Sequence, residues 1–333
     1  MEAAMKRIIL LATLLILAVP FMATAKSYRI ATVPWAGWSP VHVAQEKGFW
    51  KDQGLDIKVL NHQDIAQVYD FFKTKQVDIT FFMMGTAVKW YTEGTPVTVL
   101  AETDWSHGGD KIIVRKGVDV KTLKGTPLGV YFDDPSIRFF LNKYLLATGN
   151  NISNFKVTEM EPKNLADNFI VKRFDIIVCF DPEAIRAAKE GNGEAIVSTA
   201  TYEGCMPEGM VMLKDVYKET PKEDLEKLLK GWVRAVKWAK DPTNWKEYMT
   251  ILNTVTFKGM DPLSEKDLTD MMGSVKIHDK TTQFERNKTG GGLTAFLEEM
   301  KAFFEANKMM KQDFSTADLF DNSVIMKVLQ DEK

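Results

Sequence analysis

The sequence predicts an α/β protein built as two lobes, with a helical C-terminal extension packed on the first. Three observations lead there. Apolar β-forming runs alternate with helix-period segments in two successive series, one ending near residue 115 and the other near residue 205. An Asp-Pro helix start follows two strands of the second series, at Asp134-Pro135 and Asp181-Pro182. A short β-run at 210–213 is suited to rejoin the first sheet, and from Pro221 onward the chain is mainly helical. Such a chain crosses between lobes twice, with 26–115 and 206–333 assigned to lobe 1 and 116–205 to lobe 2.

The first series opens on Tyr28, Ile30, Thr32 and Val33, β-formers that stop at Pro34-Trp35-Ala36-Gly37-Trp38. Ser39 is a good N-cap and Pro40 fits the first helical position, while Val41, Ala44 and the stop residue Gly48 share one face. A strand is expected at 56–60. Asp64 then opens a helix with Gln67 at capping-box spacing and an apolar face of Ile65, Val68, Tyr69 and Phe72. The strand 77–82 turns through Met83-Met84-Gly85-Thr86 into a helix ending near Gly94. A strand at 96–100, a polar loop at 103–110 and a strand at 111–115 follow. This order implies a largely parallel sheet. In the second series, strands are expected at 127–132, 155–160, 174–180 and 195–198, with helices after Asp134, at 164–171 and after Asp181. Leu225, Leu228, Leu229, Trp232, Val236 and Ala239 form a core-facing stripe that Asp241-Pro242 breaks. Gly290-Gly291-Gly292 follows no strand and lacks the Lys-Ser/Thr of a phosphate loop, so it reads as a plain turn.

Residues 1–25 read as a secretory signal peptide: Lys6-Arg7, an apolar run at 8–20 too short to span a bilayer, and Ala23-Thr24-Ala25 at the cleavage positions. With no cysteine near the cleavage point, a lipid anchor is not expected, and the mature protein is expected to be soluble in the periplasm. The 333-residue chain carries 43 Lys and Arg against 45 Asp and Glu, a net charge of −2, which favours neither nucleic acid nor an anionic membrane. Cys179 and Cys205, the only cysteines, admit either a disulfide or buried free thiols. None of His42, His62, His107 and His278 has a partner at metal-ligand spacing. Hydrolase elbow, Walker loop and dinucleotide fingerprint are missing too, so no catalytic residue, metal or cofactor is expected.

What remains is a set of turns at the carboxyl ends of strands, the place where open α/β sheets bind ligands. They supply Trp35 and Trp38; Gly85 and Thr86; Asp104, Trp105 and Ser106; Phe132, Asp133, Asp134 and Ser136; and Asp181 and Glu183 as candidate ligand-binding residues. Together they sketch aromatic walls with a few polar groups, which suits a small molecule. The alternative is that the tryptophans only pack and the acids only cap helices.

Several stretches together carry a family resemblance: "PWAGWSPVHVAQEKGFWKDQGLDIKVL", "VDITFFMMGTA", "TDWSHGGDKIIVRK", "LKGTPLGVYFDDPSIRFFLNKYLLATG", "FDIIVCFDPEAIRAA" and "ADLFDNSVIMKVL". Their order resembles the exported substrate-binding proteins of ABC importers for nitrate, sulfonates, taurine and thiamine-pyrimidine precursors. The resemblance implies a type II periplasmic-binding-protein fold and a monomer that holds a ligand between its lobes for a membrane permease. Pyrimidine-synthesising enzymes share that fold with a cysteine-rich iron motif that Cys179-Phe180 only faintly echoes, and a sensory ligand-binding protein is a further alternative. Small anions call for helix N-termini and basic side chains, whereas acids stand at these helix mouths beside aromatic residues. An amine, a quaternary ammonium or a neutral heterocycle is therefore favoured. Arg138 and Lys111 keep a sulfonate or carboxylate open, and taurine suits either account.

Overall fold

The computed structural model describes residues 27–131, 134–181 and 183–331. The expected signal peptide and the candidates Phe132 and Asp133 lie outside them. The first lobe begins with β1 (Ser27–Thr32) running parallel to β2 (Asp56–Asn61). Beside β1 lies β3 (Thr80–Met83), tied to it just upstream where Ala31 N–H donates to Ile79 O and Asp78 and Ile79 N–H donate to Arg29 O. The return strand β10 (Pro207–Leu213) inserts between β3 and β4 (Val97–Ser106), antiparallel to both, and β11 (Val275–Ile277) closes the far edge. Lobe 1 is thus a mixed sheet, not the largely parallel one expected. Periodicity identifies 210–213 as a strand but carries no information on which neighbours it separates.

The second lobe has the strand order β7-β6-β8-β5-β9, with β5 (Asp110–Arg115), β6 (Pro127–Tyr131), β7 (Lys156–Met160), β8 (Ile176–Phe180) and β9 (Gly193–Ser198). The expected boundary at residue 115 is corrected here. β5 pairs antiparallel with β8 and β9, and its Ile112 and Ile113 are buried in the second core. The chain therefore crosses at 107–109 and returns at 199–206. The expected loop at 103–110 is also revised, since β4 continues as strand to Ser106 with all ten residues buried. Pairing on both edges, by β10 and β11, satisfies the backbone that its polar composition suggested was exposed.

Helices α1 (Pro40–Glu46), α2 (Ile65–Lys73) and α3 (Met84–Thr92) belong to the first lobe, and α4 (Pro135–Ala147), α5 (Pro162–Ile170) and α6 (Glu183–Glu190) to the second. The tail supplies α7 (Lys214–Glu219), α8 (Lys222–Ala239), α9 (Trp245–Ile251), α10 (Glu265–Gly273), α11 (Lys280–Asn287), α12 (Gly292–Ala306), α13 (Thr316–Leu319) and α14 (Ser323–Asp331). Successive strand residues face opposite sides of the first sheet. Phe81, Met210 and Met212 meet α1 and α8 on one side, and Phe82 and Val211 meet α2, α3 and α12 on the other. The stripe around Trp232 is core, as expected.

Pro40 does open α1, but Ser39 does not cap it. Its backbone is helical, and its hydroxyl donates to Ala36 O and bonds the Tyr248 hydroxyl. Both cysteines are free and buried. At Gly231 on α8, an added Cβ would fall on the indole of Trp50, whose Nε1 donates to Leu228 O at 2.9 Å. Gly231→Val is expected to lower stability by about 1–3 kcal/mol through overpacking, read as a lower urea midpoint with an unchanged slope.

Candidate ligand-binding cleft

Between the lobes lies a cavity of about 440 Å³. Its floor begins at the turn after β1, where β-formers end at Pro34 and the chain bends through Trp35 to Trp38. Trp38 is held on two sides: its ring stacks on Phe81 at 5.1 Å, and its Nε1–H donates to Glu208 Oε2 at 2.5 Å. Trp35 stands half-exposed in the wall, its Nε1 buried on the side of the Asp104 carboxyl. Gly37 lies between them because a Cβ there would overlap the Asp104 carboxylate. Tyr69 of α2 and Trp90 of α3 meet edge to face at 5.6 Å and complete the lobe 1 aromatic wall. Across the gap, Tyr131 at the end of β6 packs edge-on against Phe180 at the end of β8, at 4.9 Å.

The lobes touch where α3 and α4 meet, N-terminus to N-terminus. Gly85 N–H donates to Ser136 Oγ at 2.9 Å, and Ser136 N–H donates to Asp134 Oδ1 at 2.7 Å. The Thr86 hydroxyl donates to the other oxygen of Asp134. Only glycine fits at residue 85, since a Cβ would lie 2.6 Å from Ser136 N. A second bridge sits at the crossing, where Ser106 Oγ and Thr199 Oγ1 are 2.8 Å apart.

The electrostatics are acidic. Asp110, Asp134, Glu159 and Glu208 line the cavity, and among the described residues Lys89 is the one basic side chain that does. Burial holds the Glu208 carboxyl well above the usual carboxylate range, and the nearby charges of Asp104 and Asp110 push the same way. Asp104, fully buried behind Gly37, is pushed up to about 6 by desolvation, partly offset by the Thr103 hydroxyl. Desolvation also raises Asp110 and Asp134, although the Ser106 and Tyr131 hydroxyls oppose it at Asp110, and Thr86 and Ser136 at Asp134. Carboxyl groups crowded in this way favour their neutral forms until a positive partner arrives.

Of the residues expected from the sequence, Trp35, Trp38, Thr86 and Asp134 line the cavity. Gly85 and Ser136 form the bridge between helix ends, Asp104 stands behind the wall, and Ser106 knits the crossing. Three do not reach the cleft. Trp105 is buried at β11, its ring edge-on to His278 at 4.6 Å with Arg286 and Lys276 against it. The extension of β4 explains this, because Asp104 and Trp105 are consecutive strand residues and point to opposite sides. Asp181 pairs with Lys111, and Glu183 accepts from Arg186 at 2.7 Å, so both balance local cations. Sequence reasoning missed Tyr69, Trp90, Asp110 and Glu208 as lining residues. Glu208 had a signal, a lone acid just ahead of the β-run at 210–213, and Asp110 ends a stretch with Asp104, Ser106 and Gly108 at alternate positions.

A sequence profile of the family described as "NMT1/THI5 like" matches residues 35–244, from the Trp35 turn through both lobes into the tail. The chain belongs to the NMT1/THI5-like family. The chain is also similar to "Putative binding protein YtlA" of Bacillus subtilis, 24% identical over 213 residues, which are 61% of this chain and 63% of YtlA. A shorter similarity, 31% identical over 93 residues, links it to 4-amino-5-hydroxymethyl-2-methylpyrimidine phosphate synthase THI11 of Saccharomyces cerevisiae and covers 27% of each chain. The chain thus spans less than two thirds of the length of either relative. This NMT1/THI5-like chain also shares the fold of the periplasmic aliphatic sulphonate binding protein SsuA from Escherichia coli, with a TM-score of 0.69 at 12% identity over 90% of this chain and 94% of that one. The expected two-lobed periplasmic-binding fold is therefore the fold of this protein.

Proposed function

We propose that this protein is the solute-binding component of an ABC importer. It is exported to the periplasm behind a cleaved signal peptide, acts as a monomer, and captures a small organic molecule (amine-bearing, taurine-like or heterocyclic) for a membrane permease. The observation that carries this reading is the cavity itself, walled by aromatic residues from both lobes at the strand ends beside two chain crossings. A ligand that touches both lobes binds the closed form better than the open one, and that difference is what shifts the population. No helix among the described residues is long and apolar enough to cross a membrane.

A thermal-shift screen of amines, sulfonates, nitrate and pyrimidines tests the capture. A true ligand at a hundredfold excess over Kd adds about 2.7 kcal/mol of stability. Small-angle scattering of the same samples is expected to show a smaller radius of gyration with ligand, and a screen in which no solute does either would remove the proposal. The resulting ligand allows a sharper comparison. Trp35→Ala is expected to weaken binding by roughly 1–3 kcal/mol, whereas Trp105→Phe lowers the melting temperature and leaves affinity unchanged in calorimetric titration. The stretch shared with the yeast synthase supports an enzyme as the second reading. Recovery of the ligand chemically unaltered after prolonged incubation separates capture from conversion.

A further inference from the structure

We infer that the solute taken by this cleft is an organic cation: a protonated amine or quaternary ammonium group on an apolar or aromatic body. The inference rests on the capture reading and narrows it. At the two helix ends the donors suited to an anion are already engaged, since Gly85 N–H is bound by Ser136 Oγ, Ser136 N–H by Asp134, and the Thr86 hydroxyl by Asp134. The N-termini of α3 and α4, where an anion would seat, are thus closed on each other. Neither basic side chain that the sequence offered gives a substitute. Lys111 is paired with Asp181, and neither Lys111 nor Arg138 is among the lining residues.

Acceptors, in contrast, converge from both lobes: Glu208 on β10, Asp110 on β5 and Asp134 ahead of α4. Each lies on a different element, so their approach is a property of the cleft and not of one helix cap. Each is also buried, where a carboxylate's attraction for a cation is least screened. Between them stand the rings of Trp35, Trp38, Tyr69 and Tyr131, whose faces attract a desolvated cation and whose area holds its apolar body. Among the described lining residues only Lys89 opposes this, and its charge acts on Asp134. Asp110, which accepts from the Tyr131 hydroxyl and feels the charge of Lys111, and Glu208, which accepts from Trp38 Nε1, are the carboxyls placed to meet the positive head.

Shape-matched pairs of probes that differ in charge test the inference by calorimetric titration of the full-length mature protein: choline against 3,3-dimethylbutan-1-ol, and benzylammonium against benzyl alcohol, with nitrate and methanesulfonate as anions. The expected result is binding of at least one cation more tightly than its neutral partner by at least about tenfold. Asp110→Asn is expected to lose that preference while its melting temperature without ligand stays at or above the wild-type value. Preference for choline over benzylammonium, or the reverse, tells quaternary from primary heads. Equal or tighter binding of a neutral partner or an anion overturns the cation and leaves capture standing. If no cation binds at millimolar concentration, the cation is likewise overturned. Should none of the probes, nor any solute of the wider screen, change the scattering profile, capture fails as well.

Discussion

Glu208→Gln is expected to raise the melting temperature of the empty protein and at the same time to weaken capture of its solute by about tenfold or more. The two effects share one cause. In the empty cleft, Glu208 is a buried carboxyl next to Asp104 and Asp110, and every ionised neighbour destabilises the others. An amide of the same shape keeps an oxygen to accept from Trp38 Nε1 and puts an NH₂ group where like charges met. Relief of about 1–2 kcal/mol corresponds to a rise of about 2–3 °C for a chain of this size. A bound cation reverses the balance, since it needs the charge that the substitution removes. Differential scanning calorimetry of the empty variant and titration with the wild-type ligand check both halves. A fall in both melting temperature and affinity would mean instead that Glu208 serves mainly to hold Trp38.

The second large effect is on pH. Asp104, Asp110, Asp134 and Glu208 all have folded-state pKa values raised by burial, Asp104 to about 6. An acid whose pKa is higher folded than unfolded contributes full stability below its unfolded value, near 4, and loses it as pH rises through the folded value. The empty protein is therefore expected to become less stable from about pH 4 to pH 6 and beyond. Charges facing the group moderate the slope: His278 favours ionised Asp104, Lys111 favours ionised Asp110, and Lys89 favours ionised Asp134. Cation binding has the opposite sign. Only ionised carboxyls attract the ligand, so affinity rises over the same window and binding releases protons. Titrations in buffers of different ionisation enthalpy detect those protons directly. Removing one carboxyl, as in Glu208→Gln, should flatten both trends, and parallel profiles for variant and wild type would show that surface groups set the pH dependence.

Legibility in the sequence followed the range of the interactions. Pro34 to Trp38, the Asp134-Pro135 start and the stripe through Trp232 are governed by neighbours within a turn or two, and each lies where its local chemistry placed it. Asp134 was readable as both a cap and a cleft residue because its position at a helix mouth determines both. Trp105 was misread for the converse reason. A polar stretch reads as loop unless two strands flank it, and the flanking strands, β10 and β11, come more than 100 residues later. Glu208 and Asp110 face one cavity although 98 positions separate them, a proximity with no periodic trace in either segment.

The sequence by itself determined that this is a two-lobed α/β chain with aromatic and acidic residues at the ends of its strands. It could do so because strand and helix periods, caps and breakers act through nearest neighbours. Only the tertiary structure decided which lobe β5 joins, where the chain crosses, and that the helix mouths close on each other and leave carboxyl groups facing the cavity. Those outcomes depend on non-local strand pairing and on desolvation, and a carboxyl group acquires its raised pKa only after distant segments have excluded water from it.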